Sequence, residues 1–241
     1  MPRSSTIYWI ILPAAAVTFY FVTWRVATPF FLHYVASEQG LVELGTAAFF
    51  FASSYVAARL AIASDTSLPL LYRSLFGLFA VAALFVGLEE ISYGQHLFGW
   101  RSPEYFREHN LQGEVNLHNM LGSKPSKRMH MVADLGTAVG FVGLPALLWL
   151  GKRYSSALPD RLRRAARSAY APGTWTYYLA PGLELVAIVV LARLVGWLKK
   201  IPGAGVDHNE LRELLWSWSA FGYVVLMRRR LQNGRSSLAR E

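Results

Sequence analysis

Long runs of apolar residues, poor in charge, alternate with short polar connections along the whole of this chain. The runs are Ile7–Trp24, Leu41–Ala63, Leu70–Leu88, Val132–Leu150, Tyr177–Leu198 and Leu211–Met227, each near the roughly 20 residues that carry a helix across bilayer hydrocarbon. Continued into their polar flanks they give helices over 7–24, 41–63, 70–92, 132–150, 177–198 and 209–227. Ala, Leu, Val and Phe follow one another without alternation, which excludes the short two-faced strands of a closed barrel. The pattern therefore predicts an all-α polytopic membrane protein. It has one domain over residues 1–241, six transmembrane helices and a structured outer loop between helices 3 and 4.

Composition agrees with that pattern: 54% of the residues are hydrophobic and only 16% are charged, too apolar a balance for a soluble domain. The first run follows Arg3, is long for the core of a secretory signal and lacks a small-x-small site before Arg25, so it reads as a retained anchor. Lys and Arg set the orientation. With a cytoplasmic N-terminus, the inner side receives Arg3, Arg59 and Arg73, the block from Lys152 to Arg167, and the tail with Arg228, Arg229, Arg230, Arg235 and Arg240. Both dense basic clusters then lie inside, and both termini are cytoplasmic. The net charge of +9 follows from this excess; no nucleic-acid-binding signature accompanies it, and the expected partner is the anionic headgroup layer of the membrane. Asp160 followed by Arg161, Arg163, Arg164 and Arg167 reads as a capped basic interfacial helix.

The same topology sends all six histidines, His33, His96, His109, His118, His130 and His208, to the outer side together with most carboxylates. The chain has no cysteine, which removes thiol nucleophiles, disulfides and cysteine-held metals. A metal has to be held by His, carboxylate or amide oxygen. No Walker loop, glycine-rich nucleotide signature or internal repeat is present.

Acids at the outer ends of the spans carry the candidate chemistry, since a carboxylate at membrane depth is unfavourable unless paired, hydrated or metal-bound. Glu43 lies in the first turn of the second span, and Glu213 is drawn into the outer end of the sixth. Glu89 and Glu90 end the third span, where the helix dipole disfavours negative charge, so capping does not account for them. Being adjacent on a helix they point about 100° apart, which lets one face the bundle and the other the loop. Glu114 and His118 have the i, i+4 spacing of metal-binding and catalytic carboxylate–imidazole pairs; His130 and Asp134 repeat it. Glu43, Glu89, Glu114, His118 and Glu213 are thus candidate metal ligands, with Glu90 as general base for a metal-bound water. Gln95, Asn110, Gln112, Asn116 and Asn119 are candidate substrate-binding amides. Glu38, Glu104, Glu108, Asp207 and Glu210 suit helix ends and are read as structural, and the isolated His33, His96, His109 and His208 as boundary residues.

Glu89-Glu90-x-Ser92-x-Gly94-Gln95, with Asn110-x-Gln112-x-Glu114-x-Asn116-Leu117-His118-Asn119 and Glu38-x-Gly40-x-x-Glu43, resembles a family of bacterial polytopic membrane proteins without an assigned activity. The likeness covers about two thirds of the chain and implies a shared fold and site in a bacterial inner membrane. A looser likeness, of architecture alone, is to membrane hydrolases of the alkaline ceramidase kind, from which the chain departs in span count and in lacking two His on its last span.

Two functions of different class are consistent with these features. One is a metal-assisted reaction on a lipid or lipid-linked substrate at the outer leaflet, with zinc, manganese, iron or calcium as the divalent cofactor. The other is a non-catalytic accessory or assembly subunit of a larger inner-membrane complex, its acids paired with arginines such as Arg101, Arg107 and Arg212. Ion-coupled transport fits less well, because the acids gather at one face and not at mid-bilayer.

Overall fold

The computed structural model describes residues 7–37, 40–63, 68, 70–110, 113–117, 120, 135, 153–154, 159–161, 183–198 and 208–238. Among them all regular structure is helical: α1 Leu12–Val26, α2 Leu41–Ile62, α3 Leu70–Glu90, α4 Glu104–His109, α5 Leu183–Leu198 and α6 Asn209–Leu238, with shorter turns between. Three helices, Tyr8–Val26, Leu41–Ile62 and Leu70–Glu90, are long and apolar enough to cross a membrane. They coincide with the first three predicted runs. The fourth run, 132–150, lies outside the described residues apart from Leu135. In the fifth, Leu185–Trp197 forms a shorter apolar helix.

Local sequence explains where the helices bend and stop. A π-helical turn, Ile7–Ile11, leads into α1, where Pro13 cannot donate the backbone bond of a regular turn. Pro29 likewise follows a break at Ala27, whose φ of −135° leaves the helical region. α2 starts after the extended Gly40 and places Glu43 in its first turn, where the partial positive charge of a helix N-terminus favours an acid. α3 ends at Glu90 because Ser92, Tyr93 and Gly94 all adopt positive φ, 46°, 54° and 82°. A right-handed helix cannot continue through such residues.

α6 is the hub of the packing, running alongside α2 and against α5. Towards one end Tyr20, Phe31, Val35, Val42, Leu185, Ile188, Leu211 and Leu215 form a buried cluster. Towards the other, Val56, Ala57, Leu60, Phe76, Ala80, Val224 and Met227 form a second. α2 and α6 are therefore parallel and α3 runs back between the same two ends. α3 approaches α2 closely: Ser54 donates to the Ala80 carbonyl at 2.8 Å, and a Cβ on Gly87 would stand 2.8 Å from Phe51. The opposite side of α3 exposes Leu71, Leu75, Leu78, Val81 and Phe85, an apolar surface suited to hydrocarbon and not to water.

This packing brings the N-terminal turns of α2 and α6 to the C-terminal end of α3. Glu43, Glu89, Glu90, Glu210 and Glu213 belong to those turns.

Candidate functional site

Glu89 and Glu90 divide this end of the bundle. Glu89 is buried, 5% exposed, and accepts the backbone N–H of Leu117 at 2.7 Å and the phenol of Tyr93. It is thus tied to the segment after α4. Glu90 meets α6 instead: oxygens of Glu90, Glu210 and Glu213 all lie within 4.8 Å of one another. Four further acids, Glu213, Glu210, Glu43 and Glu89, lie within electrostatic reach of it.

On the Glu89 side the sequence motif folds into a closed hydrogen-bond network centred on Glu114. This carboxylate accepts from Ser92 Oγ at 2.5 Å, from His96 Nε2 at 2.6 Å and from Asn116 Nδ2 at 3.2 Å. Asn116 also donates to Ser92 Oγ. Asn110 Nδ2 donates to both the backbone oxygen and Oδ1 of Asn116, each at 2.8 Å. Gln95 accepts from Val115 N–H at 2.9 Å and donates to Ser102 Oγ at 2.8 Å. Glu89, Ser92, Asn110, Glu114 and Asn116 are all buried. Buried polar groups bonded to one another in this way rigidify the segment they belong to.

The left-handed Ser92–Gly94 turn makes the network possible, because it directs Ser92, Gln95 and His96 towards Glu114, Val115 and Asn116 when a straight α3 would carry them past. Two of its three residues are not glycine, at a cost of about 1–2 kcal/mol each. Gly94 is needed for a further reason: a Cβ there would meet the Phe98 ring at 2.8 Å. Burial, followed by the hydrogen bond and the charge of Glu89, pushes the Tyr93 phenol up to about 12.

On the Glu90 side the acids come together from three helices, α2, α3 and α6. Glu43, Glu210 and Glu213 gain from the positive ends of their own helices, while Glu90, at the negative end of α3, faces those same two N-termini. Like charges this close repel, and a divalent cation or a proton shared between oxygens removes the repulsion. Three carboxylates fit a hard cation, with oxygen as the only donor type.

The structure thus brings Glu90 and Glu213 together and places Glu43 within electrostatic reach, whereas Glu89 and Glu114 are engaged by the loop. Gln95, Asn110 and Asn116 serve the same loop through hydrogen bonds. Gln112, His118 and Asn119 lie outside the described residues, as do Glu38, His130, Asp134 and Asp207. Three residues stand in these groups that the sequence did not mark as candidates. Glu210, read as a cap, shares a face with Glu213 at i, i+3, a signal that was available. His96 and Ser92 depend on the left-handed turn, which periodicity does not encode. His208 belongs to neither group: it is buried among Tyr20, Phe21 and Trp24 and pairs through Nδ1 with the Tyr20 hydroxyl at 3.3 Å.

Compared with models of known families, with curated proteins and with solved structures, the chain matches none.

Proposed function

We propose that this is a six-span bacterial inner-membrane protein with both termini cytoplasmic, whose acid-rich end faces outward and holds a divalent cation. Glu90, Glu210 and Glu213 are the ligands, with Glu43 beside them. What supports this reading is the meeting of three carboxylates from α3 and α6 within 4.8 Å at the end of the bundle where two helix N-termini converge. The all-oxygen set favours calcium or manganese over zinc or iron. Bound there, the cation supplies Lewis-acid activation of a water or a polar headgroup. A lipid or lipid-linked substrate would reach it from the apolar surroundings of the spans. Glu89, Glu114 and their amide partners hold the adjoining segment in place.

Elemental analysis of the detergent-purified protein tests the cation. One equivalent of calcium or manganese, lost in Glu90→Gln and Glu213→Gln, is the expected result; a metal-free protein that gains none on dialysis against either ion rejects it. Topology is tested by thiol labelling, which is clean in a chain without cysteine. Ser123→Cys should react from the outer side only, and labelling from the cytoplasm alone would reverse the assignment.

The network around Glu114 favours a second reading, an accessory subunit of a larger membrane complex for which Asn110 and residues 113–117 form a docking surface. In that case Glu114 variants should lose a co-purifying partner while metal content stays the same.

A further inference from the structure

Beyond the cation, the same end of the bundle carries an oriented imidazole. We infer that His96, held by Glu114, is the proton-accepting group of a second site, which takes a water or a hydroxyl-bearing ligand at Nδ1.

The geometry begins with a fixed carboxylate. Glu114 is 6% exposed, and its Oε2 is anchored by Ser92 and Asn116. Its Oε1 stands 2.6 Å from His96 Nε2. An ionised carboxylate only accepts, so Nε2 carries the hydrogen and, in the neutral ring, Nδ1 keeps its lone pair. Among the described residues the ring makes no other hydrogen bond. The His96 side chain is 28% exposed against 8% for Glu114, so the ring opens outward while its partner stays covered.

Backbone strain is an independent sign. Ser92 and Tyr93 hold positive φ directly ahead of Gln95 and His96. Strain of this kind persists where the surroundings over-determine it, and it concentrates at sites of binding and catalysis. Here it sets the ring over the carboxylate. Such backing selects the tautomer and fixes the direction of the far nitrogen. In the step assigned to it, the O–H bond of a water or hydroxyl breaks as Nδ1–H forms, and the electron pair remains on oxygen, which becomes the nucleophile. Through Nε2–H, the Glu114 carboxylate stabilises the imidazolium. Ser92, Asn116 and Glu114 are positioning residues in this arrangement. The assignment rests on the enzymatic reading for its purpose, and on the 92–116 network for its geometry.

Diethyl pyrocarbonate, which acylates unprotonated imidazole nitrogen, probes the ring without a known substrate. In the full-length protein in detergent, the acylation rate of each histidine is read by peptide mass spectrometry. His96 should react faster than the more exposed His33, which has no carboxylate partner among the described residues. Glu114→Gln should slow His96 about tenfold, the scale on which an orienting partner acts, and leave His33 unchanged. Ser92→Ala, which keeps the carboxylate but frees one anchor, should give a smaller loss of the same kind. The assignment is overturned if His96 reacts more slowly than His33, or if both variants leave its rate unchanged. Should Glu114→Gln fail to fold, the native comparison and Ser92→Ala still decide. Treatment with a chelator and Glu213→Gln should leave the His96 rate alone; a change in either would make the ring part of the cation site and sink the separate role. A metal-free protein with a fast His96 would reject the cation while retaining this assignment.

Discussion

Glu89 and Glu90 are neighbours in the chain, yet their surroundings are opposites. Donors surround the first: the Leu117 N–H, the Tyr93 phenol and, one step away, the Ser92, Asn116 and Glu114 network. Other acids surround the second. A buried carboxylate supplied with hydrogen bonds strengthens the fold, and removing it strands its donors. A carboxylate set among carboxylates strains the fold, and removing it relieves repulsion unless a cation is present. Adjacent residues of the same type are thereby expected to respond to substitution with opposite signs.

The largest effect is expected at Glu114. Glu114→Ala takes the acceptor from the buried Ser92 hydroxyl, a stranded group costing about 1–3 kcal/mol, and removes one bond each from Asn116 and His96. Thermal unfolding in detergent should show a clear drop in Tm, or the protein should fail to accumulate. A Tm within error of the native protein would erase the contrast between the two sides.

Glu90→Gln should act the other way. In the presence of a chelator its Tm should equal or exceed that of the native protein, because one like charge is gone. With calcium or manganese added, the native protein should gain stability in proportion to binding, while Glu90→Gln gains little. If Glu90→Gln lost as much stability as Glu114→Ala under both conditions, the acids of α3 and α6 would be an ordinary part of the packing.

How far the sequence reveals this contrast depends on which physical signal encodes each part. The helices over 41–62 and 70–90 are legible because apolar composition sustained over their length leaves few alternatives. That Glu89 and Glu90 turn to different surroundings follows from the 100° step between helical neighbours. That Glu114 meets Ser92 and His96 does not, because three left-handed residues intervene and only Gly94 among them advertises such a conformation. The i, i+4 spacing of Glu114 and His118 has no helical counterpart around Glu114: residues 113–117 are bends with no helical residue among them, so Glu114 is placed by hydrogen bonds and not by a helix face. Glu210 shows a different limit. A cap reading and a ligand reading use the same first turn of α6, and only the position of Glu90 on another helix separates them.

A smaller effect is expected on the Glu89 side at alkaline pH. The neutral Tyr93 phenol donates to Glu89, and its folded value, about 12, lies above the ordinary 10. A group raised in the folded state stabilises fully below its unfolded value, and that stabilisation is lost as pH rises through the folded one. The contribution of Tyr93 should therefore be constant up to about pH 10 and disappear between about pH 10 and 12. Tyr93→Phe should remove that step from a plot of Tm against pH and remove one late phenolate from the ultraviolet titration. Ionisation of Tyr93 with the other tyrosines, near the ordinary value, would mean that its bond to Glu89 is absent in solution.

The smallest effect is expected at Glu104, which tests whether these responses belong to particular networks or to any acid at this end of the molecule. Glu104 is exposed in the first turn of α4, a helix of 6 residues that follows Pro103. Its one evident contribution is attraction to a short helix N-terminus, typically about 0.3–1 kcal/mol and weakened further by salt. Glu104→Gln keeps the size and polarity of the side chain and removes only that charge. Its Tm, its metal content and the acylation rate of His96 should all match the native protein at moderate salt. A loss comparable to that of Glu114→Ala would show that negative charge in general, and not the hydrogen-bond geometry around Ser92, His96 and Asn116, holds this end together. The distinction between Glu89 and Glu90 would then fail with it, since both would be contributing through charge alone.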